Sequence, residues 1–323
     1  MMVGGHTRVG MARIFLAGAA LLLATACIKI SPMIPSWPKA AVPQGALTLA
    51  PDSGYIVAAQ INGHPVRLRV DPGYSGIVLN PDVAARIGLE RSIWENDVMV
   101  GPVRMQGETG VAPVTIGTAT DTLRITWFDK TITPVADGII NMAHLPYERV
   151  TLQLQPERPG EADIALPTLP DGFWSITHHQ PVGDRKIEVR FGLDIPRTVM
   201  TASTGAMLAE LHGGSWAGEV FPHVIGFFVE RPVRPMAFAR TVTLGGLSFD
   251  RALVRGSDWR GRNALPTDPP ADPSEIVVTG DKGKTKAVYN ALLGRDLLAR
   301  CSSISYVGAS RVLTLRCLPG KAG

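Results

Sequence analysis

Two aspartates stand where a carboxylate can do chemistry. Asp71 closes an alternating run in which Val66, Leu68 and Val70 interleave with Arg67 and Arg69, the period-2 pattern of a strand with one buried face. Pro72, Gly73, Tyr74, Ser75 and Gly76 follow, and then a second short apolar run at 77–79. Asp194 closes another such run. Val189, Phe191 and Leu193 precede it at the offsets that Val66, Leu68 and Val70 have from Asp71. An acid at the tip of a buried strand, in a turn between two apolar runs, is poised for acid–base work. Asp-Pro-Gly alone is also ordinary turn chemistry. The flanks and the recurrence carry the stronger reading.

Other chemistries fit less well. Gly73-Tyr74-Ser75-Gly76 misses the G-x-S-x-G spacing of a serine nucleophile. His178-His179 follows a Pro-rich stretch without metal-ligand spacing, and HExxH is absent from the chain, so no metal is implied. The run GDKGKT, 280–285, has Val278 where a phosphate-binding loop needs its first Gly.

The elements that must hold the acids recur as well. Strands at 55–61 and 66–70, joined at Asn62-Gly63, form a hairpin aimed at Asp71, and a short helix follows at 82–89. A Gly-punctuated hairpin is expected at 98–111, strands at 113–116 and 121–127, and ADGIINMAHL (136–145) precedes a strand at 150–154. After a Pro-rich linker at 156–174 the order restarts. KIEVRFGLDIPRTVMTAS leads into a helix at 204–211, a hairpin at 219–239, two strands about Gly245-Gly246, and LLGRDLLARCSSISYVGASRVLTL near the end. Such an internal repeat outweighs any single motif. One insertion, 262–286, breaks it.

The Asp71 loop with its flanks INGHPVRLRV and PDVAARIGL resembles the Asp-Thr-Gly loop of aspartic proteases of the retropepsin and pepsin type. The repeat extends that resemblance over nearly everything from Ala46 to Cys317. It implies a mainly all-β, bilobal acid-protease-like fold of two retropepsin-like β-barrel lobes with short helices, the lobes at 46–155 and 175–318. It also implies flaps at 98–111 and 219–239 over a cleft, and a catalytic pair, Asp71 and Asp194, sharing one proton while one of them activates water. No cofactor is implied. Around the pair, Pro72 and Ile195 take the places where the family has Thr or Ser, while Gly73 and Pro196 take the place of its Gly. Arg197 is a candidate partner for Asp194. At the closing element, Asn141 stands for the usual Gly, and tolerance of positive φ would let it serve. Two functions stay open: an aspartic endopeptidase acting on peptide or protein substrates, or a degenerate relative that holds extended peptides in the same cleft.

Composition and address complete the reading. Charged residues make up 19% of 323, with 34 Gly and 26 Pro, which suits a turn-rich β protein. The net charge of +4 is scattered, with no basic stripe for nucleic acid. Arg8 and Arg13 before the apolar run 14–23 mark residues 1–26 as an export signal too short to span a membrane. Ala24-Thr25-Ala26 suits ordinary signal peptidase, whereas Cys27 after small residues suits a bacterial lipoprotein box. Cys301 and Cys317 flank a hairpin turning near Gly308, which predicts a disulfide with Cα atoms roughly 4.4–6.8 Å apart. That leaves Cys27 for lipid. The expected protein is a monomer in the bacterial cell envelope, periplasmic and held at the membrane by its lipid through a Pro-rich tether, 27–45.

Overall fold

The computed structural model describes residues 44–100, 103–169, 176–227, 229–256 and 287–320. The expected export signal, Cys27, the expected tether and the 262–286 insertion lie outside them. The described chain is mostly strand, with three short helices at Pro81–Arg86, Ala202–His212 and Arg295–Leu298.

The first lobe closes a six-stranded barrel. Ile56–Ile61 and His64–Val70 form the expected hairpin, turning on Asn62 and Gly63, which both have positive φ as a two-residue turn demands. His64–Val70 then pairs in parallel with Gly138–Ile140. That strand runs antiparallel to Ile77–Leu79, which lies parallel to Ala119–Trp127. Glu108–Ile116 pairs with Ala119–Trp127 and returns to Ile56–Ile61 to close the seam.

The second lobe repeats this order. His178–Val182 and Arg185–Phe191 form the hairpin, and Arg185–Phe191 lies parallel to Asn290–Leu293. Val199–Met200 sits between Asn290–Leu293 and Leu247–Arg255. Here, among the described residues, the seam is not closed by backbone pairing. The Gln180 amide bridges it, donating to the Thr243 carbonyl at 2.7 Å and accepting from the Gly245 N–H at 2.8 Å.

A five-stranded sheet joins the lobes, in the order Gln44–Leu49, Tyr147–Gln153, Cys301–Val307, Val312–Cys317, Ala162–Pro167. Its last strand lies inside the segment expected to be linker. The prolines at 156, 159 and 170 bracket an unbroken run in which Ile164 and Leu166 turn inward, and that run pairs over its whole length with Val312–Cys317. Leu152, Ile304, Leu313 and Leu315 are wholly buried beneath the sheet, each contributing about 1.5–3 kcal/mol. Cys301 and Cys317 face each other on it and are disulfide-bonded, with Cα atoms 3.8 Å apart, closer than the expected span.

Candidate active site

The two loops meet where the strand ends of the lobes converge. In the first lobe Val70 pairs with Ile140, and the Asp71 N–H donates to the Ile140 carbonyl at 3.0 Å. In the second, Phe191 pairs with Leu293, and the Gly192 N–H donates to the Leu293 carbonyl at 3.1 Å. The position equivalent to Asp71 is therefore Gly192. This corrects the alignment drawn from the sequence. A strand's faces alternate with period two, so a shift of two residues leaves every apolar side chain on its proper face, and pattern alone cannot see it. In the true register Asp194 matches Gly73, Leu193 matches Pro72, and Ile195 and Pro196 match Tyr74 and Ser75.

Asp194 nevertheless reaches the first acid. Both aspartates line one cavity of about 360 Å³ at the lobe junction. Asp71 has no exposed surface. Its Oδ1 accepts the Gly73 N–H at 2.7 Å, and its Oδ2 accepts the Leu193 N–H, from the opposite loop, at 3.1 Å. Burial, and next the negative charge of Asp194, push the Asp71 carboxyl up to about 7, against the opposing pull of the two N–H groups and Arg69. Gly73 is required here by close approach, since a Cβ would lie 2.8 Å from the Phe191 carbonyl and 3.3 Å from the Gly192 Cα.

The partner of Asp194 is not Arg197, whose guanidinium lies over the Phe221 ring at 5.9 Å. It is Arg69, on the strand that delivers Asp71, which forms an ion pair with Asp194 Oδ1 across the lobe boundary. Arg69 and Asp194 keep only 18% and 20% of their side-chain surface exposed, so solvent screens the pair weakly.

Each loop is tied down differently. Asn141 has φ −70° and ψ 138°, so tolerance of positive φ is not what it supplies. Its side-chain amide donates to the Pro72 and Tyr74 carbonyls at 3.0 and 2.5 Å and accepts the Ala143 N–H at 2.8 Å. In the second lobe Gly294 holds the matching place, where a Cβ would lie 2.7 Å from both the Ile195 carbonyl oxygen and the Arg197 carbonyl carbon. The Asp296 carboxylate accepts the Thr198 N–H and hydroxyl within 3.0 Å.

Both expected flaps cover the site. The Val98–Val100/Val103–Met105 hairpin lends Val98 and Val100 to the cavity wall, and the hairpin beginning at Phe221–Gly226 lends Ile225, Gly226 and Phe227. Phe227 packs edge-on against Tyr74 and Phe128, with ring centroids 5.0 and 5.3 Å apart. Burial, and next the charges of Asp194 and Asp71, raise the Tyr74 phenol above its ordinary range.

Sequence reasoning missed Gly192 and Arg69. The available signals were the closing pairs Ile140-Asn141 and Leu293-Gly294, which anchor the register, and an arginine two residues before the acid on the face that meets the other lobe.

The fold is mainly β and retropepsin-like, with a closed six-stranded barrel around the Asp71 strand. Residues 57–142 match the family model described as aspartyl protease, so the segment that carries Asp71 is retropepsin-like. No curated protein matches the chain.

Proposed function

We propose that the inter-lobe cleft holds an extended peptide and does not hydrolyse it. The observation that carries this reading is the register: Gly192 stands opposite Asp71, and the second acid arrives displaced and ion-paired to Arg69. Hydrolysis of the aspartic type needs two symmetric carboxylates that share a proton around one water. Misplacement of a catalytic group by about 1 Å already costs on the order of 100-fold in rate. One oxygen of the Asp194 carboxylate is also already engaged by the Arg69 guanidinium. What the cleft retains is shape. Two hairpins overhang a mostly apolar cavity, where a strand-like ligand can gain main-chain hydrogen bonds and side-chain pockets. Export, lipid attachment at Cys27 and a periplasmic address belong to the same proposal, that of a tethered peptide receptor.

The test incubates the purified full chain with a mixed peptide library from pH 4 to 7.5, reading cleavage by mass spectrometry and binding by co-purification. Retained but uncut peptides support the proposal. Cleavage that disappears in both Asp71→Asn and Asp194→Asn overturns it in favour of a peptidase.

A further inference from the structure

The tip of the second flap breaks the rules of its own turn. Gly226 pairs with Val229, so the chain reverses directly after Gly226, where tight hairpins favour Gly, Asn or Asp because the backbone turns with positive φ. Phe227 holds that place, with φ 47°. Positive φ is an outlier for a bulky side chain, and such strain persists only where the surroundings over-determine it. Here the surroundings belong to the other lobe. The Phe227 ring stands edge-on to both Tyr74 and Phe128, and its N–H donates to the Tyr74 phenol oxygen.

The same contact roofs the cavity. Tyr74, Ile225, Gly226 and Phe227 all line it, and a Cβ on Gly226 would lie 3.9 Å from the Val100 side chain of the first flap. Val100, Met105, Phe128, Ile225 and Val229 are buried in one apolar cluster against which Tyr74 and Phe227 pack, so the two flaps and the first-lobe wall share a core. The second loop has no equivalent. Ile195, which matches Tyr74, has neither ring nor hydroxyl. The flap covers the two loops whose Gly73 and Leu193 N–H groups donate to the Asp71 carboxyl.

We propose that Phe227 is an autoinhibitory latch: seated between Tyr74 and Phe128, it holds the second flap shut across the lobe boundary, and a ligand enters the cavity only after the ring withdraws. The two ring contacts hold the latch, and the strained backbone at Phe227 favours its release. The apparent affinity of the cleft is then reduced by the fraction of molecules whose flap is open. This rests on the reading of the cleft as a binding site, and it adds the regulation of that site.

The experiment first measures opening without ligand, as amide hydrogen exchange at Gly73 and Leu193 followed by NMR on the full chain, since exchange through local opening reports the open population. Phe227→Ala removes the ring and keeps a side chain that positive φ strains, so both effects favour the open state. Exchange at the two amides is expected to rise roughly 10-fold, as the loss of two edge-on aromatic pairs implies, while Leu152 and Ile304 in the joining sheet keep their rates. Phe227→Gly also loses the ring but accepts positive φ, so it should open less than Phe227→Ala. The second arm measures binding of an acetylated pentapeptide amide of alternating valine and threonine by calorimetry, and its dissociation constant should fall by the same factor in Phe227→Ala. Unchanged exchange in Phe227→Ala overturns the latch, and peptide binding that persists there leaves the receptor standing. Faster exchange with no peptide binding by either protein supports the latch and overturns the peptide receptor. Phe227→Gly opening as far as Phe227→Ala overturns the stored strain, and rates that rise equally at Leu152 and Ile304 overturn the latch as a local device.

Discussion

Ionising Asp71 costs folding free energy, because the folded chain holds its carboxyl at about 7 against an ordinary value of 3.8. Below pH 4 both states are protonated. Between pH 4 and 7 the unfolded chain ionises while the folded one keeps its proton, so stability falls as pH rises through that window and levels off above it. The loss is on the order of a few kcal/mol, at about 1.4 kcal/mol per pH unit. Urea denaturation at several pH values should show this slope, and Asp71→Asn should remove it, although the amide forfeits one accepting oxygen and lowers stability at pH 4. A slope unchanged in the variant would show that the titration belongs elsewhere. Arg69 acts on the same group. Arg69→Gln removes a cation that lowers the Asp71 titration and strands the Asp194 carboxylate. The titration should move above 7, and stability should fall by about 1–3 kcal/mol, less than the 3–5 of a fully buried pair because both partners are partly exposed. An unmoved titration in Arg69→Gln would rule out the cross-lobe pair.

At the scale of elements, most of the fold was legible because it is written in period two and in turns. The hairpins, both flaps, the helices after each loop and the repeat itself follow from alternating apolar residues and punctuating glycines. What alternation cannot carry is the register to within two residues, and on that step rested the placing of Asp194. Long-range pairing decides it, through Ile140 in one lobe and Leu293 in the other. The closing elements show the same division: Asn141 and Gly294 hold matching places by opposite means, the one by its side chain and the other by lacking one. Asn141→Ala leaves the Pro72 and Tyr74 carbonyls and the Ala143 N–H unpaired, and each buried loss costs about 1–3 kcal/mol. Gly294→Ala pushes a methyl group into the Ile195–Arg197 backbone and should cost several kcal/mol, as overpacking against backbone does. Thermal melts of the two variants check this. A Gly294→Ala protein as stable as the parent would mean that the second loop is not held as described.

The whole molecule is bound by the five-stranded sheet more than by the cleft. Tyr147–Gln153, which continues the chain of the first lobe, pairs with Cys301–Val307 near the end of the second, and Gln44–Leu49 is added outside it in parallel. The former linker segment supplies the opposite edge. Neither half can unfold without exposing strand edges and apolar faces that belong to the other, so both lobes are expected to melt in one transition despite a length at which separate domains are common. The disulfide lies inside this shared sheet and closes a loop of sequence separation 16, for which chain entropy gives about 3 kcal/mol. Replacing Cys301 and Cys317 together by Ala should lower the melting temperature while keeping a single calorimetric peak, because the buried strand pairing around them remains. Two peaks in the parent protein would show that the lobes are independent and that the sheet does not couple them. Two peaks only in the variant would assign the coupling to the disulfide itself, with strand pairing insufficient to hold the lobes together.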